Sequence, residues 1–176
     1  MTLLVPGTVF WITGLSGAGK SSIATQLCKR RREAGHSILL FDGDTLRSII
    51  DSEAGYEPDE RRKLAFKYAE LCREVSLQGI DVACATISLF HEVHDWNRAN
   101  LPDYIEIYIH VALDMLKSRD PKGLYQRATN NSEANVYGID LVPEEPKNAD
   151  LIIENDGVNN LEFAVDQVLS LIENRK

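Results

Sequence analysis

The 176-residue chain lacks any uninterrupted apolar run near the roughly 20 residues that a membrane-spanning helix requires. Its opening residues, MTLLVPGTVFWITG, also lack the basic region and small-residue cleavage site of a secretory signal peptide. These two observations favour neither a membrane-spanning helix nor a secretory signal peptide. We therefore expect a cytoplasmic protein without a membrane partner.

Cysteine is scarce, and the three that occur, Cys28, Cys72 and Cys84, are far apart and form no CxxC pair. Their number and spacing favour neither a disulfide framework nor a cysteine-bound zinc site. Free cysteine behaves as a small apolar residue and is often buried. We expect all three to be reduced residues of the core.

Positive charge is also in short supply, since 19 Lys and Arg face 27 Asp and Glu, which gives a net charge of −8. Nucleic-acid binding depends largely on Lys and Arg neutralising phosphates, so no nucleic-acid partner is expected. The sequence has no repeat, low-complexity tract or Pro/Gly/Ser linker. A single domain over residues 1–176 is predicted, long enough to bury a full core.

Short apolar runs alternate with amphipathic stretches along the chain, a pattern typical of an α/β fold with a three-layer parallel sheet. Strands are predicted at 8–13, 37–41, 81–87, 104–110 and 151–154, and helices at 20–34, 59–77, 113–119 and 160–173. The polar segment 130–148 contains two prolines and is predicted to be a long loop. Loops of this length often act as lids.

The segment GLSGAGKS at residues 14–21 follows the first predicted strand and runs into the first predicted helix. It matches the phosphate-binding loop G-x-x-x-x-G-K-[ST], in which glycines let backbone N–H groups turn towards phosphates. Lys20 would then contact the β- and γ-phosphates, and the Ser21 hydroxyl would ligand Mg²⁺. The motif predicts a P-loop fold that binds MgATP.

Other residues distinguish among the P-loop classes. No guanine-reading [NT]KxD segment is present, and the third predicted strand ends in Thr86, Ile87 and Ser88 rather than in the acidic residue of many motor ATPases. Two carboxylates instead follow the second strand, in DGDTLR at 42–47. Because the carboxyl ends of parallel strands form the ligand crevice, this segment should face the nucleotide. A carboxylate there can accept the proton of an attacking hydroxyl, and Arg47 can fix an anionic acceptor, which favours a kinase.

Six motifs together resemble the adenylylsulfate kinase family. They are WITGLSGAGKSS at 11–22, FDGDTLR at 41–47, GYEPDERR at 55–62, TIS at 86–88, RDPKGLY at 119–125 and YGID at 137–140. The resemblance implies an ATP-dependent transferase that phosphorylates the ribose 3′-hydroxyl of adenylylsulfate for sulfate assimilation. It also implies a homodimer and a lid at about 119–148 that closes over both nucleotides.

The resemblance also implies residue roles. Asp44 would be the base and, with Ser21, would contact Mg²⁺; Lys20 and Lys122 would complete the catalytic set. The ATP-binding residues would be Gly14, Leu15, Ser16, Gly17, Ala18, Gly19, Lys20, Ser21, Ser22 and Arg119. The acceptor-binding residues would be Asp42, Arg47, Tyr56, Arg61, Ile87, Ser88, Lys122 and Tyr137.

Departures from the family pattern fall on the acceptor side. Leu64 stands where the family has an acceptor-binding Asn, and Val136 and Tyr137 precede GID where the family has Phe-Thr. The altered pocket keeps a second acceptor open, such as cytidine diphosphoramidate in surface-polysaccharide modification. A non-catalytic nucleotide-binding module is a third alternative, although Lys20, Asp44 and Lys122 are all present.

After TIS the family continues with Pro, an aromatic residue and basic residues, whereas this chain has LFHEVHDWNR at 89–98. His91 and His94 lack the spacing of a zinc-binding helix pair. We expect their segment to line or cover the acceptor pocket, with Trp96 packed beneath it.

Overall fold

The computed structural model describes residues 5–53, 55–130, 132–157 and 160–175. A five-stranded sheet in the order β2-β3-β1-β4-β5 forms its centre, and every neighbouring pair is parallel. The strands are β1 (Val9–Thr13), β2 (Ile38–Asp42), β3 (Asp81–Ala85), β4 (Tyr104–His110) and β5 (Leu151–Glu154). The α/β prediction is confirmed, and each predicted strand position holds a strand.

Helices cover both faces of the sheet. In the described part of the chain they are α1 (Lys20–Glu33), α2 (Gly43–Ile50), α3 (Pro58–Ser76), α4 (His91–Asn100), α5 (Leu113–Arg119), α6 (Leu124–Thr129) and α7 (Leu161–Asn174). The four predicted helices are present, whereas α2, α4 and α6 were not predicted. Within the described ranges, none of these helices is both long and apolar enough to cross a bilayer.

The alternation along β1 separates two apolar cores. Phe10 and Ile12 belong to a core with residues of α1 and α7, whereas Val9 and Trp11 belong to one with residues of α3 and α4. Successive side chains of a strand point to opposite faces, so a central strand buried on both sides produces this division. The result is the predicted three-layer arrangement.

Local capping places the acidic segment at the edge of the sheet. Asp42 ends β2, and its carboxylate accepts hydrogen bonds from the backbone N–H groups of Asp44 and Thr45. This side-chain cap starts α2 directly at the strand end, without an intervening loop. A second cap, the reciprocal pair of Glu57 and Glu60, fixes the start of α3.

The predicted loop at 130–148 has no helix or strand among its described residues, which exclude residue 131. One isolated bridge joins Tyr137 to Leu141, and the Asp140 carboxylate accepts from the backbone N–H groups of Asn135 and Val136 at 2.6 Å each. Val136 and Tyr137 are both buried. This segment therefore packs against the body of the protein through specific residues.

Candidate active site

The phosphate-binding loop joins β1 to α1 and depends on glycine geometry. Gly14, Gly17 and Gly19 have φ angles of 150°, 78° and 97°. A Cβ atom on Gly14 would lie 2.5 Å from the Ile109 carbonyl oxygen, and one on Gly19 would lie 2.7 Å from the Asn155 amide nitrogen. Glycine is therefore required both for the left-handed backbone and for close packing.

Lys20 begins α1 inside this loop. Its ammonium donates to the Leu15 carbonyl at 2.7 Å. Burial, with a contribution from the charge of Lys122, lowers the pKa of Lys20 to about 8, against the opposing influence of Asp44 and Asp42. No side chain caps the start of α1, so its N–H groups can bind an anion.

Two residues outside the predicted set hold the loop in place. The Tyr125 hydroxyl donates to the Ser16 carbonyl at 2.8 Å, and the Asn155 amide donates to the Ala18 carbonyl at 2.8 Å. Arg119, predicted to bind ATP, donates to the Asn155 carbonyl at 2.9 Å. Tyr125 lies within the RDPKGLY motif, and Asn155 directly follows β5, so motif membership and strand-end position were the available signals.

Asp42, predicted to bind the acceptor, and Asp44, predicted to be the base, lie next to the loop. The Ser21 hydroxyl donates to Asp42 at 2.5 Å, and the Lys122 ammonium contacts the Asp44 carboxylate. Both Lys122 and Asp44 are largely exposed, so this ion pair joins the two sides of an open crevice. The structure thus brings together Ser21, Asp44 and Lys122, three of the residues predicted for catalysis and metal binding, with Asp42, which was predicted to bind the acceptor.

The oxygen atoms of Ser21, Asp42 and Asp44 are of the type that Mg²⁺ prefers. Among the residues described, no group of three or more His, Cys, Asp and Glu could hold a metal ion on its own. Mg²⁺ in kinases usually takes few protein ligands and completes its shell with phosphates and water. The residues present therefore fit a nucleotide-bound Mg²⁺.

Aromatic and cationic side chains form a cluster on the acceptor side. The Arg61 guanidinium carbon lies 5.2 Å from the Tyr56 ring centroid and 5.5 Å from that of Tyr137, and the Arg47 guanidinium carbon lies 4.1 Å from the Tyr56 centroid. Arg61 also donates to the Asn135 carbonyl at 2.6 Å. Four predicted acceptor-binding residues thus come from α2, from α3 and its preceding loop, and from the segment after α6.

Two further predicted residues follow β3. The Thr13 hydroxyl donates to the Ile87 carbonyl, and the Ser88 hydroxyl lies 2.8 Å from that of Thr86. Because Thr13 ends β1 just before Gly14, the backbone at Ile87 is tied to the start of the phosphate-binding loop. Ser88 has a φ angle of 20°, which is unusual for a residue with a side chain.

Leu64, Val136 and Tyr137, which depart from the family pattern, are all buried. Leu64 is 4% exposed and belongs to the same apolar core as Phe90 and Tyr137. Val136 belongs to the opposite core, so Tyr137 is the residue whose ring reaches Arg61. This side of the site therefore has an apolar wall where a polar amide was expected from the resemblance.

The two histidines of α4 have different surroundings. The His91 imidazole lies 2.9 Å from the Glu145 carbonyl, so it contacts the segment after α6. His94 is buried, and its Nε2 lies 2.9 Å from the Ser88 carbonyl. Trp96 packs edge-on against Phe66, with ring centroids 6.3 Å apart.

A parallel sheet whose first strand ends in a glycine loop with Lys20 and Ser21, next to Asp44 and Lys122, defines a P-loop kinase. The adenylylsulphate kinase family model matches residues 6–154, and the chain belongs to this family. It transfers the γ-phosphoryl group of ATP to a hydroxyl group of a nucleotide.

Relatives cover nearly the whole chain. A cytidine diphosphoramidate kinase from Campylobacter jejuni is 38% identical over 161 residues, which are 92% of this chain and 94% of the relative. An adenylyl-sulfate kinase from Bacillus velezensis is 35% identical over 150 residues, 84% of this chain and 76% of the relative. The structure of the Mycobacterium tuberculosis APS kinase in complex with AMPPNP and APS superposes with a TM-score of 0.90 at 30% identity, covering 96% of this chain and 98% of that one.

Proposed function

We propose that the protein transfers the γ-phosphoryl group of MgATP to the ribose 3′-hydroxyl of adenylylsulfate. The observation that carries this proposal is the cluster of Tyr56, Arg61 and Tyr137 across the crevice from the phosphate-binding loop. Aromatic rings can stack on a nucleotide base, while Arg47 and Arg61 can bind the anionic 5′ group. The Mycobacterium tuberculosis structure with bound APS supports the same assignment.

The donor side is assigned to the phosphate-binding loop. Residues 14–22 would hold the ATP phosphates, with the loop fixed from behind by Tyr125 and Asn155. Lys20 would leave the Leu15 carbonyl to contact the β- and γ-phosphates. Arg119 would help to bind ATP from the base of the lid.

Phosphoryl transfer itself would use the pair that now spans the crevice. Asp44 would accept the proton of the 3′-hydroxyl, and Lys122 would exchange its contact with Asp44 for the transferred phosphoryl group. Ser21 and Asp44, with Asp42 beside them, would hold Mg²⁺. Bound there, Mg²⁺ supplies positive charge that offsets the negative charge of the phosphates.

Closure of the lid would exclude water and prevent transfer to it. The segment at 119–148 carries Lys122 and Tyr137, so its position determines whether both nucleotides are enclosed. Two contacts already connect it to the start of α3: Arg61 donates to the Asn135 carbonyl, and the Asn135 amide donates to Glu57 at 2.9 Å.

Cytidine diphosphoramidate is the second candidate acceptor. The apolar Leu64 in place of the expected Asn favours a changed base pocket, and the 38% identical Campylobacter jejuni relative acts on such a compound according to its name. The chemistry at Asp44 and Lys122 would be the same for both acceptors. Only the contacts to the base and to the 5′ group would differ.

We also propose a cytoplasmic homodimer, on the basis of the family resemblance. Light scattering coupled to size exclusion would test the assembly, and a mass of one chain, 19.7 kDa, would exclude the dimer.

The acceptor is tested by measuring ADP release with MgATP and either adenylylsulfate or cytidine diphosphoramidate. We expect the larger kcat/KM with adenylylsulfate, and Lys20→Met as a control should release no ADP with either compound. A larger kcat/KM with cytidine diphosphoramidate would replace the first acceptor by the second. Absence of turnover with both would refute the proposed function.

A further inference from the structure

A connected set of buried polar side chains contacts the backbone at Ser88, one of the residues predicted to bind the acceptor. His94 on α4 is 5% exposed, with Nε2 at 2.9 Å from the Ser88 carbonyl and Nδ1 at 3.2 Å from Glu106 Oε1 on β4. Glu106 is 1% exposed. Neither His94 Nδ1 nor Glu106 Oε1 has a hydrogen-bond partner in the described part of the chain apart from this approach to each other.

The positions of the hydrogen atoms follow from the chemistry of these three groups. A carbonyl oxygen only accepts, so His94 Nε2 must carry the hydrogen that bonds to Ser88. A neutral imidazole would then present the lone pair of Nδ1 to the Glu106 carboxylate, which would leave two buried acceptors facing each other. A second hydrogen between Nδ1 and Oε1 removes this conflict.

The contacts of the second carboxylate oxygen of Glu106, Oε2, determine where that hydrogen resides. Arg98 donates to Glu106 Oε2 at 3.0 Å and also approaches Asp150 at 3.3 Å. The guanidinium favours the ionised form of Glu106, so the second hydrogen belongs to His94. Two cations and two anions then balance. The pKa of His94 is lowered, chiefly by burial and against the opposing influence of Glu106, so the imidazolium is assigned from the approach of Nδ1 to the Glu106 carboxylate.

The hydrogen bond from His94 reaches the backbone of Ser88, which is, with Ile87, one of the two residues after β3 that are predicted to bind the acceptor. The Ser88 carbonyl is held by His94 on α4, and the Ile87 carbonyl is held by Thr13 on β1. These two contacts fix the two peptide units on either side of the Ser88 Cα atom, where φ has the unusual value of 20°. Without the contact from His94, the backbone at Ser88 would be held only through Ile87, and the Ser88 hydroxyl only by its contact with Thr86.

We propose that His94 is a positioning residue for acceptor binding: held as an imidazolium by Glu106, it donates to the Ser88 carbonyl and orients Ser88 towards the acceptor. The proposal rests on the proposed function, because it assigns Ser88 a contact with the acceptor. His94 itself touches neither nucleotide. It acts only through Ser88.

Two amide variants separate positioning from packing. In His94→Gln the side-chain amide nitrogen can occupy the position of Nε2 and donate to Ser88, whereas the shorter amide of His94→Asn reaches only the position of Nδ1. Both variants are uncharged and polar in the same buried site. We expect the acceptor KM to rise about tenfold in His94→Asn, the effect of one lost hydrogen bond, and about two- to threefold in His94→Gln.

The assay measures kcat and KM for both substrates, with thermal unfolding of each variant alongside. An acceptor KM raised about tenfold in His94→Asn but only two- to threefold in His94→Gln, with kcat and the ATP KM changed less than threefold in both, supports positioning. Equal changes in the two variants, or losses of kcat and melting temperature in parallel, would show a purely structural role and overturn the proposal.

The ring nitrogens of His94 supply a readout that needs no substrate. In ¹⁵N-labelled wild-type protein at pH 7, both nitrogens should show the shifts of an imidazolium, and Glu106→Gln should convert His94 to the neutral form with Nε2 protonated. A neutral ring in the wild type would overturn the charged form. If the imidazolium is seen but no acceptor is turned over, the proposed function fails, and the proposal falls with it because Ser88 then has no acceptor to orient.

Discussion

The proposed contact between Lys20 and the ATP phosphates predicts that ATP binding depends on pH. Its pKa is lowered from 10.5 to about 8 in the ligand-free protein, chiefly by burial. The charged form is therefore present below pH 8 and is lost as the pH rises through 8. Since the proposal has the phosphates bind the ammonium, affinity for ATP should fall over the same interval.

The magnitude follows from a single titrating group. If only the charged form binds, the apparent Kd increases by about tenfold between pH 7 and pH 9, and ATP binding at pH 9 takes up about 0.9 proton. Calorimetric titration with ATP, without acceptor and in two buffers of different ionisation enthalpy, measures both quantities. An unperturbed lysine would give less than a twofold change in Kd over this range.

Lys20→Arg is the matched control because a guanidinium stays charged throughout this range. Its Kd for ATP should be independent of pH between 7 and 9, even if the absolute affinity is lower than that of the wild type. A flat profile for the wild type, or the same slope in both proteins, would refute the assignment of the pH dependence to Lys20.

Three substitutions test other parts of the site. Asp44→Asn should lower kcat by about 10² or more in the ADP-release assay, and a loss of kcat of only a few-fold would remove Asp44 as the base. Tyr125→Phe leaves the Ser16 carbonyl without its donor and should weaken ATP binding about 5- to 10-fold in calorimetry, so wild-type affinity would contradict its supporting role. Gly19→Ala should weaken ATP binding because its Cβ, 2.7 Å from the Asn155 amide nitrogen, would push that amide away from the Ala18 carbonyl. Gly35→Ala, at φ 86° with nothing within 4 Å, carries backbone strain alone and should bind ATP normally.

The sheet and the phosphate-binding loop could be predicted because their signals are local. Val9–Thr13 is apolar and is followed at once by glycines and Lys20, so strand, loop and helix are specified within a short stretch of chain. The DGD segment could be placed because the carboxyl ends of parallel strands share one edge. Asp44 indeed faces the same crevice as Ser21 and Lys122.

The missed helices lack such signals. The buried face of α4 consists of Val93, His94 and Asn97, so two of its three inward residues are polar and no apolar periodicity marks it. The α2 helix starts at the residue that directly follows β2, and α6 has only six residues. The formation of each of these helices depends on capping or on tertiary contacts, which a periodic apolar pattern does not reveal.

The supporting residues of the site could not be deduced from spacing. Tyr125 is 109 positions from the Ser16 carbonyl it contacts, and Asn155 is 137 positions from Ala18. The pairing of His94 with Glu106 likewise requires α4 to pack on β4. Such contacts arise from the fold, and only their location at strand ends or within a motif is visible in the sequence.

The central claim is transfer of phosphate from ATP to a ribose 3′-hydroxyl, and the position of the new phosphate in the product tests it most directly. Purified protein, MgATP and adenylylsulfate would be incubated to completion, and the product examined by ³¹P–¹H correlation NMR. The account predicts one new phosphorus signal coupled to H3′ of the acceptor ribose, formed in equal amount to ADP. Coupling to another ribose proton, or ADP formed together with inorganic phosphate and unchanged acceptor, would contradict it.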